Sequence, residues 1–187
     1  MIIDDNSLST TDAIAWGGYV AGIDKDLSYS DEYQQLISQR QFSFLLRDHS
    51  LIQVVYLFRA AAELKKVRLA YHPPPHEASI DGAPIDAPAE EWGTRLSHLR
   101  LDYAPEATTH AKSHLQVSGL PAIRVPLDVV VGPYLFLDFV VAAALPTEDA
   151  KWCRGHARYG QALAHARRTV AHVEEFSVDH LYVTVSA

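Results

Sequence analysis

The chain predicts a single α+β domain: a mostly antiparallel twisted sheet of about five to six strands, two C-terminal helices and an N-terminal helical segment. Three observations carry that expectation. Residues 96–119 alternate apolar and polar side chains with period two, residues 51–58 are apolar at every position but Gln53, and residues 133–175 carry helical patterning in one block instead of alternating with strands. With 187 residues, 48% hydrophobic and 21% charged, the chain has material for one good core and not for two.

Taken in order, residues 1–40 have turn signals at Gly17-Gly18 and Gly22 and no strong period, and are expected to be helical. Within them Asp31-Glu32-Tyr33-Gln34-Gln35-Leu36-Ile37 predicts a helix with Ser30 as its N-cap, its two acids complementing the helix dipole. The strand-rich region spans 42–126. It opens with Phe42 to Arg47 and continues with Ser50 to Arg59, apolar on both faces as a central strand should be. Lys65 to His72 alternates and is expected to pair with it, and Pro73-Pro74-Pro75 ends the pairing because proline offers no amide donor. A proline-rich loop covers 73–93, a length often given to lids or partner contacts. The 96–119 hairpin follows, then Arg124-Val125-Pro126. Pro133 sits in the first turn of an apolar helix that Leu145-Pro146 stops. A second helix is expected from Thr147 to Glu175 and a final strand over 178–186.

Composition narrows the function classes. The single cysteine, Cys153, excludes an internal disulfide framework and a thiolate metal cluster. The acidic start has no basic n-region, and no apolar run is long enough for a membrane span, so a cytoplasmic protein without membrane contact is expected. A formal charge of −7 argues against nucleic-acid affinity spread over the whole surface, although the cations are unevenly placed.

The hairpin holds the first candidate surface. Leu99, Leu101, Tyr103, Leu115 and Val117 belong to one face; His98, Arg100, Asp102, His114 and Gln116 belong to the other, which is expected to be free. Symmetric closure would set Asp102 opposite His114 and Arg100 opposite Gln116, within contact distance. A carboxylate beside an imidazole fixes a tautomer or favours the imidazolium, and a guanidinium holds a phosphate or carboxylate. His98, Arg100, Asp102 and His114 are therefore candidate catalytic groups for metal-independent phosphodiester cleavage, with His110 and Arg124 as binding groups nearby. The same face also reads as an ordinary polar patch of weak ion pairs. His110, His114 and Asp102 have no diagnostic metal spacing, and neither a metal nor another cofactor is expected.

The second candidate surface is the helix at 151–172. Trp152, His156, Tyr159, Leu163, Ala166, Val170 and Val173 form a stripe expected to face the core. Arg154, Arg158, Gln161, His165, Arg168 and His172 form the opposite one, flanked by Lys151 and Arg167. Arg154, Arg158, His165 and Arg168 are the candidate binding residues, on a track fit for nucleic acid or an acidic protein partner.

Several segments resemble one family. They are Ser50-Leu51-Ile52-Gln53 leading to Tyr56 and Phe58, Arg68-Leu69-Ala70-Tyr71 before prolines, Arg100-Leu101-Asp102-Tyr103, His110 with Ser113-His114-Leu115, Arg124-Val125-Pro126, and the aromatic helix at Phe136 to Phe139. In this order, over about residues 50–145, they resemble the bacterial domain of unknown function 2290. The chain departs from the pattern at Ala111, where a proline is expected, and at Ser118-Gly119-Leu120-Pro121. The resemblance carries no activity. It implies a bacterial accessory protein of the kind found near mobile elements and defence systems, and singles out Arg100, Asp102, His110, Ser113, His114 and Arg124. The expected function is a non-enzymatic binding module of such an assembly, engaging a protein partner or nucleic acid; the alternative is a nuclease or toxin-like hydrolase using the hairpin face.

Overall fold

A computed structural model describes residues 2–10, 12–20, 27–59, 63–75, 98–117, 124–143 and 147–173. The fold is α+β, with a nine-stranded antiparallel sheet at its centre. The strands are β1 (Ile2–Asp5), β2 (Ser7–Ser9), β3 (Ala13–Trp16), β4 (Phe44–Leu46), β5 (Leu51–Phe58), β6 (Leu64–His72), β7 (Leu99–Tyr103), β8 (Ser113–Val117) and β9 (Arg124–Pro126). They run in the order β1-β4-β5-β6-β7-β8-β9. One edge of β5 is shared: β4 pairs with Leu51 and Ile52, while β3, itself paired with β2, takes Tyr56 and Leu57. Among the described residues there are four helices: α1 (Tyr29–Ser38), α2 (Pro133–Ala143), α3 (Thr147–Gly155) and α4 (Ala157–Arg168).

The central register explains the two faces. Val54, Leu69, Leu101, Leu115 and Val125 form one cross-strand row, and Tyr56, Val67 and Tyr103 another. This apolar face meets Phe136 and Val140 of α2, and Phe136 is wholly buried. The Tyr56 hydroxyl donates to the Val131 carbonyl at 3.0 Å and pins the approach to α2. On the reverse face, α1 packs Tyr33 and Leu36 against Leu51 and Phe42, and Trp16 packs beside Val55.

Two local expectations are corrected. Residues 2–16, expected within an N-terminal helical segment, form three strands. Their patterns are three or four residues long, too short to declare a period, and β1 and β3 are joined to the sheet by β4 and β5 far along the chain. In α1 the N-cap is Ser28, not Ser30: its Oγ accepts from the Asp31 amide at 3.2 Å.

The helix expected over 147–175 is two helices. The chain turns extended at His156 (φ −80°, ψ 122°) directly after Gly155, a poor helix former, and α4 ends at Arg168. Beyond it β11 (Ala171–His172) pairs with β10 (Val129–Val130) in a separate two-stranded ladder. The break also ends the expected core stripe. Trp152 is 74% exposed and His156 is exposed, whereas Tyr159, Leu163, Ala166 and Val170 are half-buried. The final strand at 178–186, most of the loop at 73–93, and the hairpin positions 96–97 and 118–119 lie outside the described residues.

Candidate functional site

Strands β6 to β9 place Arg68, Arg100, Asp102, His114 and Arg124 on one face, the side on which α1 packs. The hairpin closes in the expected register, Asp102 opposite His114 and Arg100 opposite Gln116, with leucines and Tyr103 on the α2 side. Arg68 of β6 pairs with Asp102 from the other flank, and Arg124 of β9 pairs with Gln116. The result is a rung Arg68–Asp102–His114 beside a rung Ala70–Arg100–Gln116–Arg124. Arg68 is the member that reading the hairpin alone missed. The alternation of 65–72 held the signal, since it sets Lys66, Arg68 and Ala70 on one side of a neighbouring strand.

The face is not the open surface expected of it. Asp102 is 12% exposed and His114 3%, and the two arginines are about a quarter exposed. Asp102 is saturated by cations: Arg68 Nε donates to Oδ1 at 3.1 Å and Arg100 Nε to Oδ2 at 2.5 Å, while Arg100 also donates to Gln116. Burial alone would raise the Asp102 carboxyl, but Arg100 and Arg68 outweigh it and hold it below its ordinary value. His114 sits with Nδ1 3.1 Å from the Ala111 carbonyl, which fixes the proton there and turns a bare Nε2 toward Asp102 at 3.9 Å. Burial lowers its pKa below the usual imidazole value despite the nearby carboxylate. His110 packs edge-on against it, ring centroids 4.7 Å apart. The Nε of Arg124 is buried without a hydrogen-bond partner, an arrangement that costs about 1–3 kcal/mol.

The four candidate catalytic residues fall into two groups. Arg100, Asp102 and His114 meet at the centre of the face. His98 precedes β7, four residues from Asp102, which is roughly 13 Å along an extended strand. There it meets other partners: its Nδ1 is 3.7 Å from Oε1 of Glu32 in the first turn of α1, and its ring centroid is 4.9 Å from that of His72. The geometry thus separates the two imidazoles that an acid–base pair would need. It also brings Glu32, His72 and His98 together, which the spacing of 32, 72 and 98 in sequence could not announce.

Burial of His72 is nearly complete, at 2% exposure, and its tautomer is set by the Gln53 amide. Gln41 Oε1 accepts from Trp16 Nε1 and the Val20 amide, both at 3.0 Å, and its Nε2 donates to the Gly18 and Gln39 carbonyls. The Gln41 carbonyl accepts from Gln53 Nε2 at 2.8 Å, so Gln53 presents Oε1 to His72 Nε2 at 3.3 Å. An oxygen there accepts, hence Nε2 carries the proton and Nδ1 keeps its lone pair. That Nδ1, like Nδ1 of His98, is buried with no hydrogen-bond partner. Burial, helped by neighbouring cations, lowers both imidazoles, His98 to about 4 and His72 well below its ordinary value, so both are neutral near pH 7. Burial raises the Glu32 carboxyl, partly offset by Arg100 and Arg68.

The second candidate surface lies on the far side of α2. Arg154 binds Asp138 Oδ1 at 3.1 Å, Arg167 approaches Oδ2 at 3.6 Å, and the Tyr159 hydroxyl donates to Oδ1 at 2.8 Å, so Asp138 moors both outer helices to α2. Arg158, His165 and Arg168 are exposed and have no ion pair among the described residues. No described helix is long and apolar enough to cross a membrane.

No curated protein and no solved structure matches this chain. One family profile, described as an uncharacterised conserved protein, matches residues 2–179, which extends the likeness from the central strands to almost every element of the fold. The chain therefore belongs to the family designated DUF2290.

Proposed function

We propose that this chain is a cytoplasmic, non-enzymatic binding module of a larger bacterial assembly, and that it engages nucleic acid through the outer face of α3 and α4. The observation that carries this reading is the combination of unpaired cations with an exposed aromatic. Residues 147–168 hold five Lys and Arg against two Asp and Glu, in a chain whose formal charge is −7. Arg158, His165 and Arg168 project from α4 without acidic partners among the described residues, and Trp152 on α3 is the most exposed of the large apolar side chains described. Clustered cations attract phosphates by releasing counterions, and an exposed indole offers a platform on which a base can stack. The hairpin face supports catalysis less well. Its carboxylate is taken up by two arginines, and its two candidate imidazoles lie at opposite ends of a strand.

The test is fluorescence anisotropy with a labelled single-stranded oligonucleotide over a salt series. Binding is expected to weaken steeply as salt rises. The charge reversals R158E and R168E together should abolish it, and W152A should weaken it by about 1–3 kcal/mol. Absence of binding at low salt, or binding indifferent to R158E and R168E, would overturn the proposal. Cleavage of the oligonucleotide lost in H114A would instead establish the hydrolase reading.

A further inference from the structure

We infer that Glu32, His72 and His98 form a binding site for a divalent transition-metal ion, set where the N-terminus of α1 meets the ends of β6 and β7. One ligand atom from each of the three residues lies within 4.8 Å of the others. Tetrahedral zinc with bonds of about 2.0–2.1 Å would hold its ligand atoms roughly 3.4 Å apart, so small side-chain rotations suffice to close the set. The residues come from three separate parts of the chain that the fold brings to one point: Glu32 from the first turn of α1, His72 from the last residue of β6, and His98 from the position just before β7, next to the Tyr71–Leu99 pair.

Proximity alone would not distinguish this cluster from a buried polar knot. The distinguishing observation is that both imidazoles bury an Nδ1 that no protein donor satisfies. For His72 the Gln53 amide, oriented by its bond to the Gln41 backbone carbonyl, leaves that Nδ1 unprotonated, as coordination requires. An outer amide fixing the tautomer of a ligating histidine is the usual support for a metal ligand, and here it is itself held by buried hydrogen bonds. Glu32 supplies the negative charge. Two nitrogens and one carboxylate oxygen suit zinc, cobalt, manganese or iron(II), and three protein ligands leave a position for water or an anion. Imidazole donors make the set a poor one for magnesium or calcium. The neighbouring Arg68 and Arg100 are balanced in part by Asp102, so the loaded site carries excess positive charge and favours an anion in the open position.

The experiment uses the full chain, stripped with a chelator and dialysed, then titrated separately with Zn²⁺, Co²⁺, Mn²⁺ and Mg²⁺. Calorimetry should show a single saturable site for a transition ion and none for Mg²⁺. Co²⁺ should give the visible absorption of a low-coordinate nitrogen–oxygen site, and the thermal midpoint should rise with Zn²⁺ concentration. E32Q and H98Q, which keep the shape of the site, should each weaken Zn²⁺ binding about 100-fold or more, whereas H110Q should leave it unchanged. Failure of every transition ion to bind the wild-type chain would overturn the inference. Binding that survives in E32Q and H98Q but is lost in H110Q would place the ion elsewhere and overturn it equally. Should both variants fail to fold, the wild-type chain decides the matter by X-ray absorption at the Zn edge: two imidazoles with an oxygen ligand support the site, and any other ligand set refutes it.

Discussion

Asp102→Ala isolates the largest electrostatic commitment in the sheet. The substitution removes the acceptor of two charge-assisted hydrogen bonds, from Arg68 at 3.1 Å and Arg100 at 2.5 Å. The carboxylate is 12% exposed and each guanidinium about a quarter exposed, so water replaces only part of what is lost. Removing one partner of a buried pair typically costs about 3–5 kcal/mol; the partial exposure of the arginines places this case near about 3 kcal/mol. For a chain of this size that is a fall of about 1 M in the urea midpoint and of roughly 6–12 °C in Tm. Circular dichroism during urea titration measures the first and a thermal scan the second. The pH dependence gives an independent check. Because the folded carboxyl lies below its ordinary value, its stabilisation is complete above about pH 4 and is lost as pH falls through the folded value. The gap between wild type and variant should therefore close in acid. A penalty under about 1 kcal/mol, the range of exposed ion pairs, would refute the view that this carboxylate organises the face.

Four further outcomes follow from the same geometry. Phe136→Ala empties the fully buried contact between α2 and the sheet and should cost about 3–5 kcal/mol in urea unfolding. Tyr56→Phe removes only the bond to the Val131 carbonyl and should cost about 1 kcal/mol, read by the same titration. The His114 pKa is lowered in the folded chain, so folding there favours the neutral ring. Stability should decline as pH drops from the unfolded value of about 6.5 toward the folded one, and His114→Gln should make that decline shallower. Reversal of Arg158 and Arg168 should leave stability within about 0.5 kcal/mol, since neither makes an ion pair among the described residues.

What could be read from the sequence follows the range of the interactions involved. The hairpin was legible because alternation is local: parity alone sends Leu101 and Leu115 to one side and Asp102 and His114 to the other, while the register across residues 104–112 rested on symmetric closure, which the pairing matches. The apolar run of β5 and the proline start of α2 were legible for the same reason. The strands at 2–16 were not, because β1 and β3 find their sheet partners some 40 residues away and their own patterns end within a turn's length. Burial of the polar face also escaped the sequence. Alternation says which residues share a side and not what lies over them, and α1, which reaches this side at Glu32 beside His98, is encoded more than 60 residues upstream. The Glu32, His72 and His98 grouping depends on that same docking and so leaves no spacing to find. The long helix misled through a single residue: the apolar steps continue across Gly155, but the backbone does not.

The small ladder of Val129 and Val130 against His172 and Ala171 has a consequence for how the molecule tolerates change. It brings the exit and re-entry of a helical excursion side by side, so that 133–170 hangs from the domain as from a stem. No strand of the large sheet depends on that excursion for its neighbours. Its outermost part, α3 and α4, can be lengthened, exchanged or re-charged in relatives without rethreading the scaffold, provided that Phe136 and Val140 keep their seat. The outer helices can thus diverge on the stem while the buried charges of the sheet stay as they are.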